Sequence, residues 1–500
     1  MRLTRRAFGA IAAAPAIAGL STAGASLAPM APLPLGKHRE LFVDGYVIDR
    51  LQGVRQVPHE PRDMGAVYRF DKPWEGPFSA YVSVLKDGGV YRMYYRGLPR
   101  PEHDTGYESL CYAESADGVN WTRPDLGLVA VDGSTRNNVL IGKSEAGTHA
   151  FGPFLDHRPG VRSDQRYKAL GLMRWKSPNG KPDWALAGWT SPDGVRWTRT
   201  GEKPLIVNDT PHFAFDSQNV CFWSESEGVY VAYGRTWKDG VRRISRWTSP
   251  NFETWSGSSL MEYRRGGAPA PIEHLYTNQT HPYFRAPQIY LSTAARFFPG
   301  RQVLSAEEAK AIRVDADYFK DTSDSVLMSS RGGSEYDRTF MGALIKPGIG
   351  AQNWVSRSNY PALNIVQTGA DEMSIYVNQN YGQPTSHLRR YAWRLDGLAS
   401  LQADYEGGEW VSKTLEFIGK ELSLNFATSA GGSIRVEFQD SEGAVLPGYA
   451  LADCREVIGN EIDRRVRWRS ESDVSALAGR PVRIRMRMKD ADLYSFRFEG

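Results

Sequence analysis

The sequence predicts an all-β chain, a five-bladed β-propeller followed by a C-terminal β-sandwich, and three observations predict it. A short pattern returns with its spacing intact: SADGVNW at Ser115 to Trp121, SPDGVRW at Ser191 to Trp197, SPNFETW at Ser249 to Trp255, and a worn copy, SRGGSEY, at Ser330 to Tyr336. Apolar strand pairs recur at five places between about residue 38 and residue 400. Beyond Leu401 the texture changes to a run of short strands without the repeat. A motif recurring every 58 to 81 residues marks a repeat architecture, and propellers place their chemistry at the mouth of a central channel.

Taken in chain order, the first element is a targeting segment. Thr4-Arg5-Arg6-Ala7-Phe8 precedes an Ala-rich apolar run, and Ala23-Gly24-Ala25 offers a small-residue cleavage site. Residues 1–30 resemble a twin-arginine signal, which exports folded proteins, so the mature chain is expected in the periplasm or outside the cell. Pro15 and several Gly and Ser interrupt the run, which argues against a membrane anchor, and no later segment approaches a spanning length. No stable membrane insertion of the mature chain is expected.

Five units follow, spanning residues 38–400. Their strand pairs are VYRMYYRG (Val90 to Gly97) with LCYAES, RYKALGLMR (Arg166 to Arg174) with WALAGWTS, GVYVAYGRT (Gly228 to Thr236) with RRISRWTS, QIYLSTAARFF (Gln288 to Phe298) with SVLMSS, and MSIYVNQNY (Met373 to Tyr381) with LRRYAWRLDG. Their alternation has the period of strands. A third strand precedes each pair: SAYVSVL, HAFGPFL, FDSQNVCFW, TNQTHPYF and PALNIVQ. A fourth strand per blade is inferred from the architecture. In the repeated motif, Asp or Asn caps its own backbone and Gly accepts positive φ, so each copy is a turn over which its Trp can lie. One helix is expected, SAEEAKAI at Ser305 to Ile312, opened by a Ser cap and an acidic first turn. Residues 409–500, with LEFIG, LSLNFAT, SIRVEFQD, RRVRWR, VRIRMRM and LYSFRF, read as an antiparallel sandwich.

Composition excludes several functions. A net charge of +4 on 500 residues, with no Lys/Arg run beyond the leader, leaves no nucleic-acid footprint. Cys111, Cys221 and Cys454 lie far apart without ligand spacing, and are expected as buried small apolar residues. No HExxH, P-loop, GxGxxG or GxSxG motif occurs. The 14 Trp and 24 Tyr suit β-sheet cores and also sugar faces. No cofactor is called for; a structural calcium at the channel stays open, although no ligand run marks it. Nothing in the sequence sets the oligomeric state.

The opening LFVDGYVID, the SxDGxxW turns and the closing RYAWRLDG…LEFIGKELSLN together resemble the five-bladed furanosidases, the invertase-like and arabinanase-like glycoside hydrolases of families 32 and 43, in an uncharacterised bacterial branch. The invertase hallmarks WMNDPNG, RDP and EC are absent. The resemblance implies a glycoside hydrolase acting on a carbohydrate, with a furanosidic bond as one option. It also implies that Asp44, in the first strand, occupies the place of the nucleophile or base. Such enzymes need two carboxyl groups across the scissile bond. The search therefore favours acids on innermost strands, and excludes Asp117 and Asp193 in the outer turns. The catalytic candidates are Asp44, with an Asp-Gly turn as its alternative; Asp216 in HFAFDSQNV, with a backbone cap as its alternative; and Glu335 in GGSEYDR. Substrate-binding candidates are Trp74, Arg96, Glu108, His149, His212, Arg285 and Arg338, each with a structural alternative such as a loop anchor or an ion pair. Two other functions remain: a non-catalytic glycan-binding propeller, and a polysaccharide lyase using His149, Tyr276 and Arg285.

Overall fold

The structure, a computed structural model, describes residues 31–101, 108–142, 149–176, 182–209 and 214–500. The twin-arginine segment and His212 lie outside the described residues. The fold is a β-propeller followed by a β-sandwich. Among the described residues, five sheets succeed one another along the propeller, each built on antiparallel neighbours in chain order. The first is Ala80–Asp87, Val90–Gly97, Ser109–Ser115 and Val139–Ile141. The next two have inner strands Gly152–Leu155 and Val220–Ser224. The fourth has Leu275–Thr277 and Thr280–Tyr283 against Ala286–Phe298, and the fifth has Tyr360–Pro361 and Val366–Gln367 against Glu372–Gln379. The outer strand of the fifth sheet is Arg62–Arg69, which pairs with His387–Arg394 and so joins the start of the propeller to its end. Ser83 of the first inner strand bridges Leu363 of the fifth, which closes the ring on the inside.

The repeated motif behaves as its residues dictate. Ser115 Oγ accepts from the N–H of Gly118 (2.9 Å), and Asp117 Oδ1 accepts from Val119 and Asn120 N–H (both 2.8 Å). Ser191–Asp193 and Ser249–Asn251 repeat the same bonds. The fourth residue turns left-handed in each copy: Gly118 at φ 73°, Gly194 at 76° and Phe252 at 69°. Trp197 and Trp255 donate through Nε1 back onto the carbonyls of Gly194 and Phe252. The turns also join blades, since Tyr94 of the first sheet donates to Gly194 O (2.9 Å) and Tyr376 of the fifth donates to Gly118 O (2.5 Å). The worn copy keeps only a Ser330 to Gly332 O bond. Helix Ala306–Ala311 carries the expected capping box between Ser305 and Glu308. All three cysteines are free and buried. Among the described residues no helix is long and apolar enough to cross a membrane.

One boundary differs from the sequence reading. Residues 33–58 do not enter the propeller. Leu33–Gly36 pairs with Leu415–Phe417, Glu40–Leu41 with Arg483–Glu499, Ile48–Gln52 with Gly408–Ser412, and Val54–Pro58 with Ala399–Ala403. The N-terminal segment therefore completes the C-terminal sandwich. Its Phe42 and Val47 share a core with Trp410, Phe496 and the Phe417–Phe498 stack, whose centroids are 3.6 Å apart. Apolar alternation identifies a strand but not its partner, and the partner here is more than 300 residues away.

Candidate active site at the channel mouth

All five inner strands start at the same end of the channel, and each carries a non-glycine residue in the left-handed region within five residues of its start. These are Tyr81 (φ 53°), Ala150 (56°), Phe215 (68°), Gln279 (49°) and Asn359 (66°). For bulky side chains this conformation costs about 1–3 kcal/mol each, and such strain collects at functional sites. The kink at Phe215 is fixed by Asn219, whose amide donates to the carbonyls of Phe215 and Ser217.

The kinks bring side chains from three blades together. Glu108 opens the third strand of the first blade, His149 precedes the second inner strand, and Asp216 precedes the third. Glu108 is 3% exposed, and its Oε2 lies 2.9 Å from His149 Nδ1. His149 Nε2 lies 3.4 Å from Asp216 Oδ1, and Asp216 Oδ2 accepts from Arg235 at 2.6 Å. The Asp216 side chain is 40% exposed and opens to the mouth. Burial alone would lower the His149 imidazole, but the charge of Glu108, the Asp216 carboxylate close to Nε2 and the hydrogen bond to Glu108 override it and push its pKa up to about 10. At neutral pH the ring is an imidazolium with a carboxylate on either side. Arg96, 2% exposed, lies over the Tyr81 ring (4.6 Å) and donates to Phe78 O and Tyr381 Oη. The Tyr81 ring in turn meets His149 edge-on.

Below the mouth the channel is filled by amides. Gln218 Nε2 donates to Tyr81 O and Ser83 Oγ, and Gln279 Nε2 donates to Gln218 Oε1 (2.7 Å) and Pro361 O (2.8 Å). This chain of bonds crosses from the first blade to the fifth. Deeper still, His281 accepts from Ile365 N–H, and burial pushes its pKa down to about 4, so it is neutral. Water and ligand thus meet a floor at this depth.

The structure brings Asp216, Glu108, His149 and Arg96 together and sends the other described candidates elsewhere. Asp44 lies beside the sandwich, where it pairs with Arg331 (3.0 Å), accepts from Tyr46 N–H, and shares Arg331 with Glu40. Glu335 is an exposed outer-strand residue paired with Arg264 (3.2 Å). It borders the same surface cavity as Asp44, which is separate from the channel mouth. Both catalytic assignments are corrected: Asp44 followed its strand into the sandwich, and Glu335 sits at a blade rim. Trp74 is a loop anchor that donates to Asn138 (2.8 Å) and packs on the first blade. Arg285 ties propeller to sandwich through Asp396 (3.0 Å) and Asp463 (3.2 Å). Buried Arg338 pairs with Glu273 (2.7 Å). With Arg285 at the junction, the His149–Tyr276–Arg285 trio of a lyase does not form, and a protonated His149 is no base. Among the described residues no group of three or more His, Cys, Asp and Glu is placed to hold a metal ion, so the calcium expectation gains no ligand set.

Sequence reasoning missed Arg235, although a signal existed. YRG at Tyr95–Gly97 and GRT at Gly234–Thr236 occupy matching places in the second strands of two blades, so Arg235 is the repeat counterpart of Arg96. It also missed Tyr81, and Arg242 and Arg357 around Tyr276, which no local pattern marks.

No family model and no curated protein matches the chain. Among solved structures it is similar to an N-acetylgalactosamine deacetylase from F. plautii, at 11% identity over 69% of this chain and 97% of that one, with a TM-score of 0.44. It is also similar to a Bombyx mori GH32 β-fructofuranosidase (11% identity, 87% and 94% covered, TM-score 0.40). A fructofuranosidase from Schwanniomyces occidentalis gives 11% identity, 88% and 98% covered, and a TM-score of 0.39. Chain path is what these likenesses compare; the chemistry rests on the side chains.

Proposed function

We propose that this is an exported glycoside hydrolase that cleaves a glycosidic bond of an oligo- or polysaccharide at the channel mouth. The observation that supports it is the line Glu108–His149–Asp216, an open carboxylate facing an imidazolium backed by a buried carboxylate. Glycoside hydrolysis needs a proton for the leaving oxygen and a carboxylate as nucleophile or base. Asp216 reaches solvent and takes the carboxylate role. His149 gives its Nε2 proton to the leaving oxygen, and Glu108 holds the Nδ1 proton and compensates the ring's charge. With Asp216 as base, water adds to the anomeric carbon, its proton passes to Asp216, and Asp216 returns a proton to His149. The cycle then balances. The pair of carboxyls expected from the sequence becomes a carboxylate and a histidine. Kinship with the five-bladed furanosidases and the twin-arginine route belong to the same proposal.

The test is Asp216→Asn measured on a panel of furanosides, pyranosides and plant polysaccharides alongside its melting temperature. Turnover should fall by at least about a hundredfold with little change in melting. Full specific activity in this variant would remove Asp216 from the chemistry, whereas no turnover of any of these substrates by the unsubstituted protein would favour a glycan-binding propeller, which the amide floor of Gln218 and Gln279 would equally suit.

A further inference from the structure

Three guanidiniums converge on one aromatic ring at the mouth. The Cζ atoms of Arg235, Arg242 and Arg357 lie 4.5, 5.2 and 5.5 Å from the Tyr276 ring centroid. They come from separate places: Arg235 and Arg242 from two strands of the third blade, and Arg357 from the segment leading into the fifth. Tyr276 itself is buried in the fourth inner strand and packs on Tyr360.

Like charges repel, and a low-dielectric setting strengthens the repulsion. Asp216 answers Arg235. Arg242 forms no ion pair among the described residues; burial first, then the charges of Arg235 and Arg357, lower its pKa, and no carboxylate is among the influences on it. Its Nε is buried without a hydrogen bond among the described residues. The group cannot swing clear either, because Trp237 (4.5 Å) and Phe297 (4.8 Å) hold its guanidinium from two further sides. Arg357 stands in the left-handed region at φ 60°, a conformation its own side chain does not favour. A trapped Arg242 guanidinium with no ion pair among the described residues, repelled by Arg235 and Arg357, is the arrangement an incoming anion would relieve, and the planar fork fits a carboxylate or sulfate oxygen pair.

We propose that the saccharide taken at the mouth is anionic, its carboxylate or sulfate group received by Arg242 and Arg357 beside Arg235. This rests on the reading of the mouth as a sugar site. Arg235 touches both Asp216 and the Tyr276 ring, so the anionic group belongs to the sugar being cleaved or to its immediate neighbour.

The experiment is calorimetric titration of the mature protein with trigalacturonate, a sulfated galactose trisaccharide and neutral galactotriose, between about 50 and 500 mM NaCl. At least one acidic probe should bind about tenfold or more tightly than the neutral one at low salt, and the gap should shrink as salt rises. Which acidic probe does so separates carboxylate from sulfate. Arg242→Gln should lower that affinity about tenfold while its affinity for galactotriose stays within about twofold. If the variant does not fold, the salt dependence of the unsubstituted protein decides. Equal affinity for acidic and neutral probes, no measurable acidic binding, or an unaffected Arg242→Gln overturns the inference. Binding is read without turnover, so fully active Asp216→Asn with intact acidic preference would sink only the hydrolase assignment, and inactive Asp216→Asn with no acidic preference in the unsubstituted protein would sink only this inference.

Discussion

At one face of the propeller, Asp117 and Asp193 bend back onto their own backbone; at the other, Asp216 reaches away from its strand to His149 and Arg235. Each inner strand runs from the mouth to the turn face, and the third strand of a blade ends on the turn face, so the SxDG motifs gather opposite the mouth. The same residue type does unlike work at the two ends. On the turn face the acid's partners are two and three residues ahead, and backbone N–H groups hold the Asp117 carboxyl well below the usual carboxylate range. At the mouth the partners are 67 and 19 residues away in the chain, on other strands. An acid with near partners is a turn device; an acid whose partners must be delivered by the fold is the candidate for chemistry.

The sharpest test of that contrast is activity. Asp216→Asn should cost between about a hundredfold and ten-thousandfold in turnover, while Asp193→Asn should leave turnover per folded molecule unchanged. An equal loss in both would erase the distinction between the two faces. Next in size is Asp44→Asn. Removing one partner of the buried pair with Arg331 should destabilise the protein by about 3 kcal/mol, seen in denaturant unfolding, with no change in turnover per folded molecule. A catalytic defect there would return Asp44 to the active site.

A pH experiment sharpens the mouth itself. The His149 pKa is raised in the folded state to about 10, so its stabilisation is full below the unfolded value near 6.5 and is lost as pH rises toward 10. Melting temperature should therefore fall more steeply between these limits in the unsubstituted protein than in His149→Asn. Parallel curves would mean that the imidazolium is not held by Glu108 and Asp216. The smallest effect belongs to the turns. Asp117→Ala and Asp193→Ala should each cost about 1 kcal/mol, and their sum should be additive because they sit on different blades. Loss of activity in either would shift the chemistry from the mouth to the turn face.

Much of this was legible in the chain. The five strand pairs, the strand ahead of each, the capping box at Ser305 and the turn chemistry of SxDG all depend on residues within a few positions of one another, and such interactions are written in local order. Glu108, His149 and Asp216 could be suspected because each stands at the edge of a strand that the pattern identified. What the chain could not declare was pairing. Phe42 and Asp44 look like the start of a first blade, yet they lie against Trp410 and Arg331, because a strand's alternation fixes its faces and leaves its neighbour to long-range packing. Most of the left-handed starts of the inner strands are equally silent in the sequence, since Tyr81, Ala150, Phe215 and Gln279 are not residue types that favour positive φ, and only Asn359 is one that does. The kinked strand starts and the closed ring together set Glu108, His149, Asp216 and Arg235 within hydrogen-bonding or ion-pair reach. Local order therefore determined the blades and their turns, while the tertiary structure decided which acid faces the channel, because that depends on contacts no short stretch of chain contains.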